Sequence, residues 1–220
     1  MSAIVVKNLN YSVPEKSILK DISFEVQAGE ILSIMGPSGS GKTTLLKLLT
    51  GLLKPTSGEI WIDGENIARM SEGELDRARL KMGLVFQYAA LFDSLNVYDN
   101  IVFSVIRHKR RTPRATLDHI VRERLDQVGL GEIEWLYPSQ LSGGMQKRVG
   151  LARALAINPA FVFYDEPTSG LDPISAHNID TLIQDTGRNL QVTSIVVSHH
   201  LPSRSEEHTS ELQSHSDLVC

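Results

Sequence analysis

The sequence predicts an α/β domain, in which helices cover both faces of a largely parallel sheet. Five short runs rich in β-branched residues recur along the chain, at 4–6, 31–35, 82–86, 161–164 and 193–197. Helix-like stretches with recognisable start and stop signals lie between the later runs. Because strands that alternate with helices need crossover connections, this pattern favours parallel pairing.

Two regions depart from the alternation. Segments 4–9 and 18–26 read as strands with only a turn between them, which predicts a small antiparallel element at the amino-terminal end. Strand signals disappear between 91 and 150, and we expect a helical subdomain there, inserted into the α/β core.

Several helix ends can be predicted from local patterns. Ser71 followed by Glu74 forms a capping box at the start of a charged helix. Thr112 is expected to cap a second helix with Pro113 in its first turn, and Gly129 is expected to end it.

Composition restricts the class of protein. The chain has 220 residues, of which 41% are hydrophobic, as in a soluble globular domain. No apolar run approaches the roughly 18–20 residues that span a bilayer, and the start lacks the basic region of a signal peptide. The single cysteine, Cys220, excludes an internal disulfide. We therefore expect a cytoplasmic protein, and the net charge of -4 gives no indication of a nucleic-acid partner.

A glycine-rich motif follows the apolar run 31–35 and matches the P-loop pattern completely. Glycines let backbone N–H groups approach phosphates, and a helix amino terminus adds partial positive charge. The Lys42 side chain is expected to reach the β- and γ-phosphates and the Thr43 hydroxyl to coordinate magnesium. The alternative is a glycine-rich turn that happens to precede a lysine. The candidate nucleotide contacts are Gly36, Pro37, Ser38, Gly39, Ser40, Gly41, Lys42, Thr43 and Thr44.

Two carboxylates follow the apolar run 161–164. Ligands of open α/β sheets bind at the carboxyl ends of the strands. Asp165 is therefore suited to the magnesium shell and Glu166 to polarising the attacking water as a general base. An apolar run that ends in two acids is weak evidence alone, but it is strong together with an upstream P-loop.

A second candidate phosphate-binding surface lies at Ser142, Gly143 and Gly144. A helix follows with an apolar stripe at Met145, Val149, Ala152 and Ala156. Ser142 can cap this helix, which leaves N–H groups on two glycines beside its positive end. One P-loop already holds one nucleotide, so this surface suggests a second nucleotide, or one held by another copy.

These motifs together resemble the ABC ATPase family, from Ala3 to about Ser203, in the family's order. The resemblance implies a P-loop NTPase (RecA-like) core that uses ATP and Mg²⁺. It implies that Gln87 is the Q-loop glutamine that touches magnesium, that Asp172 ends the D-loop and that His199 is the switch histidine. It implies a head-to-tail homodimer in which Ser142, Gly143 and Gly144 contact the partner's γ-phosphate. Transmembrane permease subunits would hold the dimer on the inner face of the cell membrane.

Some positions depart from the family pattern. The aromatic residue that stacks on adenine is replaced by Val13, with Tyr11 the nearest aromatic side chain. Stacking on a base is worth about 1–3 kcal/mol, so its loss would weaken nucleotide affinity without abolishing it. Met145 replaces the signature glutamine, and His200 stands where many members carry aspartate.

The substrate is less constrained. Segments 86–101 and 141–150 resemble the ATPases of Mla/Mce-type phospholipid transporters. The alternatives are the ATPase of a polar amino-acid importer, a soluble non-transport ABC ATPase and a regulator that binds ATP without hydrolysing it. The basic stretch 107–111 reads as a solvated loop, with a membrane-facing role as the alternative.

The last residues call for a different explanation. Residues 204–215 resemble the translation of a sequencing adapter, so we expect 204–220 to be a non-native tail on an ATPase domain of residues 1–203. The elements that the family places after the switch histidine would then be missing, and the domain would be truncated, perturbing folding, dimerisation or hydrolysis. The alternative is a genuine polar, disordered tail, which composition alone favours.

Overall fold

A computed structural model describes residues 2–109 and 111–198 of the chain. His199, His200 and the segment 204–220 lie outside the described residues. The strands are β1 Ser2–Val13, β2 Lys16–Gln27, β3 Ile31–Met35, β4 Ser57–Ile62, β5 Glu65–Asn66, β6 Met82–Val85, β7 Phe161–Asp165 and β8 Thr193–Ser198. The helices are α1 Lys42–Leu49, α2 Glu72–Arg79, α3 Val97–His108, α4 Arg114–Gln127, α5 Gly143–Leu155 and α6 Pro173–Leu190.

The first sheet is antiparallel, with strand order β2-β1-β4-β5. The predicted hairpin of the first two strands is confirmed, and it closes where Val13 pairs with Lys16. The sequence did not indicate β4 or β5. β4 pairs with the other edge of β1, and Ile60 and Ile62 point inward while Glu59 and Trp61 are partly exposed.

The second sheet has the order β3-β8-β7-β6, and every neighbouring pair is parallel, as predicted. Alternate residues of β7 face opposite sides. Phe161 and Phe163 join the hydrophobic cluster beneath α1 and the antiparallel sheet, whereas Val162 and Tyr164 join the cluster formed with α3 to α6. A strand buried on both sides needs apolar residues at nearly every position, which explains the uninterrupted run in the sequence.

The described residues between 91 and 150 form α3, α4 and the start of α5, with no strand among them. Gly129 ends α4 as predicted. It is left-handed, with φ of +64°, and the N–H of Leu130 reaches the Leu125 carbonyl. The prediction for the start of α4 was wrong: Pro113 is the cap, and the Thr112 hydroxyl donates to the Lys109 carbonyl instead.

The capping box of α2 is confirmed, since the Glu74 carboxylate accepts from both the N–H and the hydroxyl of Ser71. Within the described ranges, no helix combines the length and apolarity that crossing a membrane requires. All candidate site residues with described positions lie at the ends of β3, β6 and β7, at the start of α1, α5 and α6, or on β1.

Candidate functional site

The loop 36–41 between β3 and α1 forms a cradle of backbone. Gly39 and Gly41 have φ of +83° and +92°, a region that side chains disfavour. A Cβ at Gly41 would lie 2.9 Å from Leu19 on β2, so this glycine is also required by packing. Gly41 is the N-cap of α1 and provides no side-chain cap, which leaves the first turn of that helix for an external acceptor.

The Lys42 side chain is buried and folds back over this loop. Its ammonium group donates to the carbonyls of Gly36 and Pro37 at 2.8 and 3.0 Å and lies 3.7 Å from a Glu166 carboxylate oxygen. The neighbouring Ser40 hydroxyl is buried and has no hydrogen-bond partner within the described part of the chain. Backbone donors, an ammonium group and an orphaned hydroxyl in one cradle fit a polyanionic phosphate group.

A pair of oxygen ligands lies next to the cradle. The Thr43 hydroxyl, in the first turn of α1, donates to the Asp165 carboxylate at 3.0 Å. Partial burial raises the pKa of Asp165, against the hydrogen bond from Thr43 and the positive charges of Lys47 and Lys42, which lower it. Among the described residues no group of three histidine, cysteine or acidic side chains could hold a metal by itself. The pair fits Mg²⁺, which takes few protein carboxylates and completes its shell with water and phosphate oxygens.

Glu166 begins the loop that leaves β7. It is left-handed, with φ of +45°, and its N–H donates to the Val197 carbonyl at 2.9 Å. A left-handed residue other than glycine costs about 1–3 kcal/mol, and such strain concentrates at functional sites. The bond to β8 and the ion pair with Lys42 together fix the direction of this carboxylate.

Gln87 lies in the segment 87–90 after β6, here called the Q-loop. Its side-chain amide donates to the Ser169 hydroxyl at 3.1 Å. The Lys147 ammonium group, on α5, donates to the carbonyls of Gln87 and Ser169 at 2.6 and 3.1 Å. Burial lowers the pKa of Lys147, against the nearby Glu166 charge that raises it. Three separate motifs therefore meet at one buried lysine.

The backbone of the Q-loop is unusual, because Ala89 and Ala90 are both left-handed, with φ of +57° and +48°. The Arg153 guanidinium, also on α5, donates to the carbonyls of both alanines at 2.7 Å. Burial lowers the pKa of Arg153. Lys147 and Arg153 were not predicted from the sequence, where each looks like an ordinary surface charge on a helix.

The start of α5 presents the second predicted phosphate surface. The Ser142 side chain accepts from the Met145 N–H at 3.3 Å, which confirms the predicted cap. Gly143 and Gly144 have φ values that any residue could adopt. A Cβ at Gly144 would meet no atom within 4 Å, and one at Gly143 would only touch Leu171 at 4.0 Å. Nothing within the described chain requires glycine here, and the two residues leave open space beside the N–H groups at the start of α5.

The remaining predicted residues lie in different settings. Asp172 caps α6, and its carboxylate accepts from the N–H groups of Ile174 and Ser175. Hydrogen bonds from the side chain and the N–H of Ser175, and then from Ile174, lower the pKa of Asp172. Val13 is 41% exposed at the end of β1. Tyr11 is partly buried against the core, opposite the Leu19 that packs beside Gly41. The hairpin thus lies beside the phosphate cradle.

Comparison with known proteins agrees with this geometry. A family model described as ABC transporter matches residues 19–169. The Haemophilus influenzae intermembrane phospholipid transport system ATP-binding protein MlaF is 45% identical over 196 residues, which are 89% of this chain and 74% of that protein. The methionine import ATP-binding protein MetN of Carboxydothermus hydrogenoformans is 41% identical over 90% of this chain and 59% of that protein.

Among solved structures, a dimeric ATP-binding cassette in a post-hydrolysis state bound to ADP and Pi superposes with a TM-score of 0.81. It is 35% identical, and the match covers 90% of this chain and 88% of that one. The predicted fold class and the predicted ATPase activity are confirmed. The chain belongs to the ABC transporter family, as one of its ATP-hydrolysing cassettes.

Proposed function

We propose that this chain powers a phospholipid transporter as a homodimer that closes around two ATP molecules beneath transmembrane permease subunits. The observation that carries the proposal is the presence of two incomplete phosphate sites in one chain. The first is the cradle before α1, and the second is the bare start of α5, where Gly144 borders open space. Two copies arranged head to tail would complete both sites.

The residues around the cradle would have different roles in ATP hydrolysis. The Lys42 ammonium group, already held by two loop carbonyls, would turn to the β- and γ-phosphates. Thr43 and Asp165, joined at 3.0 Å, would hold Mg²⁺, with Gln87 as a further ligand. The ion supplies charge neutralisation at the phosphate oxygens.

Glu166 is the proposed general base. Its carboxylate lies 3.7 Å from Lys42, and its backbone is bonded to β8, so it is oriented before nucleotide binds. A positioned base contributes about 10²–10⁴ in rate. His199, outside the described residues, is the proposed switch that contacts the γ-phosphate. Residues 1–203 form the proposed ATPase domain, with a helical subdomain at about 91–150.

The dimer would place Ser142, Gly143 and Gly144 against the partner's γ-phosphate. Their N–H groups lie at the positive end of α5, a 13-residue helix. Asp172, at the start of α6, is a further proposed contact. Tyr11 and Val13, on the hairpin beside Gly41, are the proposed contacts with adenine.

The dimer is tested with Glu166→Gln in a full-length version of the protein. Without the base, ATP is retained, and two copies stay joined, so the mass in solution measured by light scattering should double when ATP is added. ADP should leave the protein monomeric. A monomer at saturating ATP would contradict the proposal, and normal turnover by the variant would remove the assignment of the base.

The permease would dock in a groove beside the Q-loop. This cavity of about 460 Å³ is lined by residues of β6, the Q-loop, α3 and α5. Three phenylalanines, Phe86, Phe92 and Phe103, line it and are each about 40% exposed. Exposed aromatic residues around a concave surface are typical of protein interaction sites. Docking there would keep the cassette peripheral on the cytoplasmic side of the inner membrane.

Phospholipid is the favoured substrate because of the similarity to MlaF, which is 45% identical. MetN, at 41%, keeps amino-acid import as the second candidate. Reconstitution with its own permease in lipid vesicles distinguishes them. ATP-dependent transfer of fluorescent phospholipid supports the first, and ATPase stimulation by an amino-acid-loaded binding protein supports the second.

A further inference from the structure

Helix α5 contacts the Q-loop at three points. Lys147 donates to the Gln87 carbonyl at 2.6 Å, and Arg153 donates to the Ala89 and Ala90 carbonyls at 2.7 Å. Between them, Gly150 lies so close that a Cβ there would be 3.3 Å from Ala89. The three residues are spaced by three positions, so they lie along one side of the helix.

The two ends of this contact have different surroundings. Lys147 also donates to the Ser169 carbonyl, and the Ser169 hydroxyl accepts from the Gln87 amide, so this end belongs to the nucleotide site. Arg153 lines the apolar groove, with its guanidinium carbon 5.9 Å from the centre of the Phe92 ring. The Q-loop therefore spans the distance between groove and nucleotide while attached to α5 along its length.

We propose that Lys147 and Arg153 are positioning residues that make the Q-loop and α5 move as one body. The same helix begins with Ser142 and Gly143, so a displacement imposed at the groove reaches two places together. It moves Gln87 toward or away from the chain's own nucleotide, and it moves the start of α5 relative to the nucleotide of a second copy. The inference rests on the proposed function, because it assigns a coupling role within that site.

Both cations are held by carbonyl oxygens rather than by carboxylates, which suits this role. The Q-loop carbonyls that they bind belong to left-handed or loop residues that lie outside every described strand and helix. Loss of either side chain would release the loop while leaving the cradle before α1 intact, because the hydrogen bonds that Lys147 and Arg153 donate go to the Q-loop and to Ser169 rather than to residues 36–44.

The test uses Lys147→Met and Arg153→Leu in the full-length protein. The KM for ATP should stay unchanged, and kcat should fall by about tenfold to a hundredfold, the usual effect of misplacing a catalytic group by about 1 Å. Arg148→Leu is the matched control, since Arg148 lies on the same helix but donates to the Val128 carbonyl. It should retain the wild-type kcat.

A double-mutant cycle with Gln87→Ala distinguishes a role of Lys147 and Arg153 in positioning the Q-loop from a general role in stabilising the fold. If the two cations act through the Q-loop, their removal should cause a much smaller further loss of kcat once Gln87 is absent. An equal loss in both backgrounds, or a raised KM with normal kcat, would overturn the proposal. Lys147→Arg and Arg153→Lys, which keep a donor, should restore part of the activity and serve if the first variants fail to fold.

A second measurement covers the case in which Gln87→Ala is inactive. In the Glu166→Gln background, Lys147→Met and Arg153→Leu should raise the ATP concentration needed for dimerisation by about tenfold, with unchanged binding of a fluorescent ATP analogue to the monomer. Equal dimerisation of all variants would refute the coupling alone. Failure of the parent Glu166→Gln protein to dimerise would instead refute the proposed function.

Discussion

Adding one methyl group at Gly144 should separate folding from function. Gly144 is the second residue of α5, its φ is open to any residue, and a Cβ there would have no neighbour within 4 Å. Alanine is favoured over glycine in a helix by up to about 1 kcal/mol. Gly144→Ala should therefore leave the free energy of unfolding unchanged or raise it by up to that amount.

Activity should respond in the opposite direction. The proposed dimer brings a γ-phosphate of the second copy against the N–H groups at the start of α5, and the new methyl group would occupy that space. Losing one aligned donor to a developing negative charge costs about 10²–10³ in kcat. We expect a loss of that size, together with loss of ATP-driven dimerisation in the Glu166→Gln background.

The chain offers a closely matched control. Gly73 is also the second residue of its helix and also follows a serine cap, and a Cβ added to it would likewise meet no atom within 4 Å. Gly73→Ala should gain similar stability in thermal unfolding and keep the wild-type kcat. If Gly144→Ala hydrolyses ATP as fast as Gly73→Ala, the start of α5 is not a phosphate site.

Three further variants test other parts of the site. Lys42→Ala should abolish binding of a fluorescent ATP analogue, whereas Lys47→Ala on the same helix should not, and unchanged affinity of the first would contradict the P-loop assignment. Asp165→Asn should unfold at a higher temperature at neutral pH and lose Mg²⁺-dependent hydrolysis. Burial raises the pKa of Asp165 above its ordinary value, so the folded protein loses stability as the pH rises from the ordinary pKa to the raised one. The stability of Asp165→Asn should decline less over that pH range, and an unchanged pH profile of unfolding would refute this. Asn100→Ala should lower the free energy of unfolding by about 1–3 kcal/mol in urea titrations, since at a fully buried position it removes the acceptor of the Phe92 N–H and a donor to the Leu95 carbonyl; a smaller loss would mean that water replaces the amide.

Much of the fold could be predicted because its signals are local. β7 is a buried strand whose apolar run is uninterrupted, β3 and β8 each carry a short run of apolar residues, and the cap of α5 at Ser142 needs only a few neighbouring residues. β4 was missed because its inward residues are only Ile60 and Ile62, and its partner strand lies some fifty positions earlier.

The same distinction applies to the site. The residues of the phosphate cradle lie in one continuous motif, so their order and spacing predicted where the site lies. Lys147 and Arg153 bind carbonyls of the Q-loop, about 60 positions away in the sequence, and nothing near them on α5 indicates such acceptors. Thr112 was misassigned because its hydroxyl can bond backward to Lys109 as easily as forward into a helix.

The packing on the two faces of β7 determines which part of the domain can open locally. Phe161 and Phe163 belong to one hydrophobic cluster, and Val162 and Tyr164 belong to the other. The strand therefore separates the two clusters. Local unfolding on the side of α3 to α6 would break only the contacts of the cluster on that side. The side of the sheet that carries α5 can therefore open without disturbing the packing beneath α1 and the phosphate cradle.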